Sequence, residues 1–238
     1  MARVLRLAVA QPHLVLGDLD ANVARHVDVL RGLDAEIVVF PELSLTGYDM
    51  GVSAVDPGDE RLEPLVDACA AASMTALVGA PTRTRDGAGR HISVLRVGDG
   101  SVEPVYAKQH LGGEEPAHFT AGPDPVVIGI SGIRLGLAVC KDNGVAEHAA
   151  AVAELGMHVY AAGVCETELN REVQPMRAAA VVREHGVSVA YASFAGPTGG
   201  GFSDTAGRSA AVGPDGRVRV RLPRGAGHAG WTSVVLDH

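Results

Sequence analysis

The chain is poor in the residues that build several common kinds of site. Only 3 of its 238 residues are cysteine, and none forms a CxxC pair. A disulfide framework and a zinc knuckle are therefore not suggested, and a reducing, cytoplasmic setting is expected. Aromatics make up 4% of the chain. No apolar run approaches the roughly 18 residues of a membrane-spanning helix. The first residues, Met1 to Ala10, lack a signal-peptide core and cleavage site and read as a first strand. There is no basic surplus, since the formal net charge is -8. Nucleic acid and anionic membranes are poor partners for such a chain. The one arginine cluster, Arg217, Arg219, Arg221 and Arg224, puts its first three members on one strand face, which reads as solvated.

Motif absences narrow the chemistry further. No GxSxG elbow anchors a serine hydrolase. The glycines at 112–113 and 199–201 lack both phosphate-loop and dinucleotide spacing. The ten histidines show no HExxH or other close metal spacing, so neither metal nor cofactor is expected. His110 and His118 flank the candidate site and read as structural or positioning residues.

What remains is an alternation of strands and helices. Strands are expected at Leu5 to Ala10, Glu36 to Phe40 and Thr75 to Ala80, with helices at Asp18 to Leu33 and Glu60 to Ser73. Asp18 or Asp20 caps the first helix. Arg90 to Val97 and Glu103 to Ala107 form a hairpin around Asp99-Gly100. Val126 to Ile130 and Ile133 to Val139 form another around Ser131-Gly132. Helices follow at Val145 to Leu155 and Arg171 to His185, with strands at Met157 to Ala162 and Val187 to Ser193. Ser209 to Val212, Arg217 to Leu222 and Trp231 to Leu236 complete the pattern. Crossovers mixed with hairpins imply an α/β domain with mixed sheets. No repeat, linker or low-complexity stretch divides residues 1–238, so one domain is expected.

Three segments carry the chemistry. Glu42 follows Val38-Val39-Phe40-Pro41, Lys108 follows Val105-Tyr106-Ala107, and Cys140 follows Leu135 to Val139. Each reactive side chain stands just past a strand, where sites form in α/β folds. A thiol beside an amine and a helix start is activated toward thiolate, and a desolvated carboxylate serves as a general base. Any one of the three alone reads equally as packing or surface. Cys69, in an Ala-rich helix, reads as core; Cys165 is less favoured as nucleophile than Cys140, which has Asp142 two residues on.

With Phe40-Pro41-Glu42-Leu43, Thr46-Gly47-Tyr48, Lys108 with His110-Leu111, and Cys140 with Asp142, the chain resembles the nitrilase superfamily of carbon–nitrogen hydrolases. The resemblance runs from Leu5 to the closing Pro214-Asp215-Gly216 hairpin. It implies a four-layer αββα sandwich that pairs as a homodimer. It implies a Glu42-Lys108-Cys140 triad and a second glutamate before Phe119-Thr120-Ala121-Gly122, for which the family spacing selects Glu115 over Glu114. The backbone N–H of Lys141 would share the oxyanion with Lys108. The implied reaction is hydrolysis of a small amide or nitrile through a thioester. Tyr48, Phe119, Asn143, Glu166 and Phe194 are candidate substrate-lining residues. Two departures stand out: Ala146 replaces the usual proline, and the span from Lys108 to Glu115 is short. An acyltransferase with the same acyl-enzyme and a non-catalytic binding module are the alternative readings.

Overall fold

The computed structural model describes residues 3–236. The first sheet has six strands: β1 (Arg3–Gln11), β2 (Ile37–Val39), β3 (Thr75–Arg83), β4 (Arg90–Gly98), β5 (Ser101–Ala107) and, from the chain's end, β12 (His228–Leu236). The second is built from β6 (Val127–Ile130), β7 (Ile133–Val139), β8 (Val159–Val164), β9 (Ser188–Ser193), β10 (Ala210–Val212) and β11 (Val218–Arg221). Four helices cover them: α1 (Leu19–Arg31), α2 (Glu63–Ala72), α3 (Ala146–Glu154) and α4 (Val173–His185).

The spatial orders are β12-β1-β2-β3-β4-β5 and β11-β10-β9-β8-β7-β6. In each sheet three central strands run parallel, and antiparallel neighbours close the sides. The inner faces meet through Leu7, Val9, Ile37, Val39 and Leu77 against Leu135, Leu137, Val159, Ala161 and Ala190. On the outer face of the first sheet, Ala8, Val38 and Val78 pack with Val23, Val27 and Leu30 of α1 and Leu65 and Cys69 of α2. Outside the second, Tyr160, Ala162 and Val189 pack with Val152 of α3 and Val181 and Val182 of α4. These layers are the αββα sandwich, in a single domain. Near-continuous apolar strands are what two-sided burial requires.

Turn chemistry sets the local register. Asp99 and Gly100 have φ of 52° and 75°, and Ser131 and Gly132 have 52° and 85°, the positive pairs that tight two-residue hairpins need. Asp18, not Asp20, caps α1 by accepting from the Ala21 N–H. The expected strand Glu36 to Phe40 is trimmed to Ile37–Val39, although the Phe40 N–H still donates to Leu77 O (2.9 Å). The helix expected from Arg171 starts at Val173, after a 3-10 turn over Glu168–Asn170. Among the described residues no helix is long and apolar enough to cross a membrane.

Candidate active site

Pro41 stops β2, and the chain turns with Leu43 in the left-handed region at φ 51°. This turn threads between the two sheets. On one side a Cβ at Gly79 of β3 would lie 2.5 Å from Pro41 O; on the other, one at Gly163 of β8 would lie 2.8 Å from Phe40 O and 2.9 Å from Glu42 N. Glycine is thus required at both strand positions because another backbone passes against them. Behind the turn, Ser44 Oγ accepts from the Gly79 N–H (3.2 Å) and donates to His26 Nε2 (2.9 Å). His26 Nδ1 donates to Asn22 O (2.7 Å), and burial holds its pKa down at about 4.

Lys108 leaves β5 with its N–H on Ile92 O (2.8 Å). Its side chain is 2% exposed. Nζ donates to Glu42 Oε1 and to Glu115 Oε1, both at 2.7 Å. Burial opposes the charge on Lys108, but the Glu42, Cys140 and Glu115 charges outweigh it, so its pKa rises above the usual lysine value. Glu115 opens a 3-10 turn and is fully engaged: Oε1 also accepts from Tyr48 OH (2.6 Å), and Oε2 from the Gly112 N–H (2.7 Å). Glu114 is exposed, so Glu115 is the glutamate that reaches Lys108.

Glu42 differs. Its Oε2 is buried and has no hydrogen-bond partner among the described residues. Burial raises its pKa to about 7, against the opposing pull of the Lys108 ammonium; the Glu115 charge adds to the rise and the Cys140 thiol opposes it. A carboxylate with an open oxygen and a pKa near neutrality is suited to moving a proton.

Cys140 directly follows β7 and begins a 3-10 turn over Cys140–Gly144. It is half-buried, with φ 45°, and Sγ lies 3.4 Å from Cys165 O. Burial and then the Glu42 charge push the thiol pKa up, while Lys108 pulls it down. The thiol therefore rests protonated beside a base.

The turn is anchored by a second polar cluster. Asp142 Oδ1 accepts from the His110 N–H (2.8 Å) and from His110 Nδ1 (3.0 Å). Oδ2 accepts from Tyr106 OH (2.8 Å) and the Val139 N–H (3.0 Å). With Tyr106 donating to Asp142, His148 Nε2 carries a proton and donates to Tyr106 OH (2.8 Å). His148 Nδ1 then accepts from Tyr160 OH (2.8 Å). Burial lowers the His148 pKa, in keeping with a neutral ring.

The remaining sequence candidates fall in different places. Tyr48 joins the cluster through Glu115, with its ring edge-on to Phe202 at 4.8 Å between centroids. Glu166 is half-buried, directly after Cys165, whose carbonyl meets the thiol. Lys141 is exposed, and its Nζ donates to Leu111 O (2.7 Å) across Gly112. Phe119 and Phe194 lie in the core between the sheets, Phe119 under the Arg90 guanidinium at 4.9 Å. Asn143 is buried toward α4, where Nδ2 donates to Gln174 Oε1 (3.0 Å). His110 belongs to the Asp142 anchor, and His118 is exposed. Sequence reasoning passed over Gly79, Gly163, His26, His148 and Tyr160. A glycine inside a strand pattern was the available signal for the first two. Among the described residues no group of three or more His, Cys, Asp or Glu is arranged to hold a metal ion.

Comparison with known proteins gives a consistent setting. The family model described as carbon-nitrogen hydrolase matches residues 6–232. A glutamine-dependent NAD(+) synthetase of Xanthomonas campestris is 28% identical over 212 residues, covering 82% of this chain but 38% of its own length. This chain therefore spans less than half of that relative. An (R)-stereoselective amidase of Pseudomonas sp. is 27% identical over 217 residues, covering 87% of this chain and 77% of its own. Among solved structures, an amidase of Nesterenkonia AN1 from the nitrilase superfamily superposes with a TM-score of 0.83 at 25% identity, over 98% of this chain and 90% of that one. Another structure of that amidase carries acrylamide added to its active-site cysteine.

Proposed function

The chain belongs to the carbon-nitrogen hydrolase family, and on that premise we propose that it is a thiol amidase, cleaving the C–N bond of a small non-peptide amide. The observation that carries this reading is the division of labour within Glu42: Oε1 is held by Lys108 and Oε2 is open beside Cys140.

In the proposed reaction, Glu42 Oε2 takes the Cys140 proton and the thiolate attacks the amide carbon. The Lys108 ammonium and the Lys141 backbone N–H, in the first turn where amides have no intrahelical partner, stabilise the oxyanion. Protonated Glu42 hands its proton to departing ammonia or amine, leaving a thioester. Glu42 then deprotonates water, which releases the acid and restores the thiol. Glu115 keeps the Lys108 ammonium aimed, since Tyr48, Gly112 and Lys108 occupy its oxygens. A reducing, cytoplasmic setting and a homodimer are part of the same proposal, supported by three free cysteines and by the family resemblance.

The NAD synthetase relatives favour a second reading in which the amide is glutamine and the ammonia serves a synthetase. One assay separates the two. Ammonia release is measured from aliphatic, aromatic and ω-carboxy amides, glutamine and the matching nitriles. Wild type is expected to release ammonia from an amide, and Cys140→Ala none. Release that survives in Cys140→Ala would refute the thiol mechanism; glutamine as the sole substrate would select the second reading.

A further inference from the structure

Cys140 holds φ 45°, a conformation disfavoured for any residue with a Cβ. Something must hold it there. Asp142 grips the turn through the Val139 N–H (3.0 Å), and Gln174 of α4 grips Asn143 (3.0 Å). The nucleophile residue itself is reached from one turn further along α4. Arg177 Nη1 donates to the Cys140 carbonyl (3.2 Å). Among the described residues this carbonyl is the acceptor that the half-buried guanidinium meets.

Gly144 leaves the guanidinium the space it occupies. Its φ is not in the left-handed region, so conformation does not demand a glycine there. A Cβ there would lie 2.5 Å from Arg177 Nε and 2.6 Å from Cζ, so a side chain at 144 would push the guanidinium off the Cys140 carbonyl. The guanidinium occupies the volume that a side chain at position 144 would fill. A charged donor on a backbone carbonyl is among the stronger hydrogen bonds.

We propose that Arg177 is a positioning residue that locks the Cys140 turn in its left-handed, attack-ready conformation through the Cys140 carbonyl, with Gly144 providing the room. The proposal rests on Cys140 being the nucleophile. Arg177 touches no reacting atom. It acts on where Sγ stands relative to Glu42 and on the direction of the Lys141 N–H that follows the carbonyl.

The test measures kcat, KM and the rate of Cys140 alkylation by iodoacetamide, read by mass spectrometry. Arg177→Ala lowers both kcat and the alkylation rate by roughly 10- to 100-fold, with KM nearly unchanged. Guanidinium chloride, well below denaturing concentration, restores Arg177→Ala several-fold and leaves wild type unaffected. Gly144→Ala shows the same loss without rescue, because the methyl group fills the guanidinium site. Should Arg177→Ala fail to fold, Arg177→Lys carries the test, since it keeps charge and stem and loses the planar donor; a wild-type rate in that variant overturns the proposal. So does a folded Arg177→Ala whose rates match wild type, or whose loss guanidinium does not relieve. Cys140→Ala, run alongside, separates the two levels. Ammonia release in Cys140→Ala overturns the nucleophile reading itself, whereas an inactive Cys140→Ala beside wild-type rates in the Arg177 variants overturns only the role of Arg177.

Discussion

Two buried carboxylates stand at the heart of this molecule and do opposite things. Asp142 has all its acceptor capacity filled, by His110 twice, Tyr106 and the Val139 N–H. Glu42 is just as buried, yet one of its oxygens has no partner among the described residues. A saturated carboxylate is a strut, because moving a proton onto it would break bonds already made. An unsaturated one is a reservoir of proton affinity, and its burial raises the pKa to about 7. The comparison teaches that burial alone does not mark a general base. The open lone pair does.

Three experiments break or sharpen the contrast. The largest effect belongs to Glu42→Gln, which keeps shape and removes the base. It is expected to lower kcat by about 10²–10⁴-fold while leaving the thermal midpoint unchanged or raised. The pH dependence follows the same logic. Because its folded pKa lies above the unfolded value of 4.5, the Glu42 contribution to stability is complete below about 4.5 and is lost as pH rises through about 7. Activity rises across that window as the base ionises. His26, with its pKa lowered to about 4, has the opposite effect on stability, which is lost as pH falls from about 6.5 to about 4. The quantity to measure is therefore the stability difference between wild type and Glu42→Gln against pH. A flat difference would refute the assignment.

Next comes Gly79→Ala. Its methyl group meets the backbone at Pro41 and shifts Glu42 without touching any charge. Misplacement by about 1 Å is worth about 10²-fold in rate. The expected signature is a fall in kcat with the Cys140 alkylation rate also reduced; a wild-type kcat would show that the turn has slack. The smallest effect on chemistry is expected from Asp142→Asn. It turns an acceptor toward donors and should cost about 2–4 kcal/mol of stability, measured by urea unfolding. If Asp142→Asn instead matched the rate loss of Glu42→Gln at full stability, the two carboxylates would not differ as argued.

Much of this was legible in the residues. The Asp99-Gly100 and Ser131-Gly132 turns announced their hairpins because positive φ needs such residues. Glu42, Lys108 and Cys140 stood out because each stands just past a strand, and helix α1 because Val23, Val27 and Leu30 share a face. What stayed hidden was whatever depends on a distant partner. Arg177 lies 37 residues from the carbonyl it holds, and nothing in its own neighbourhood signals the contact. His148 and Tyr160 read as ordinary helix and strand residues until Tyr106 and Asp142 are placed beside them. Phe194 stood out by its position after a strand; it and Phe119 lie in the core between the sheets, in the cluster that also holds Tyr48 and packs against Cys140, a placement that sequence position alone does not give.

The turn squeezed between Gly79 and Gly163 also bears on timing. These glycines belong to different sheets, so Glu42 is seated only once the two halves of the sandwich have docked. The thiol and its base come from segments 98 residues apart (140 minus 42), each built on a different sheet. A half-formed molecule can own its cysteine and its lysine yet hold no proton acceptor where one is needed. Assembly of the sulfur with its base is thus a late event in the folding of the chain, and a half-docked copy holds the cysteine without the carboxylate that would take its proton.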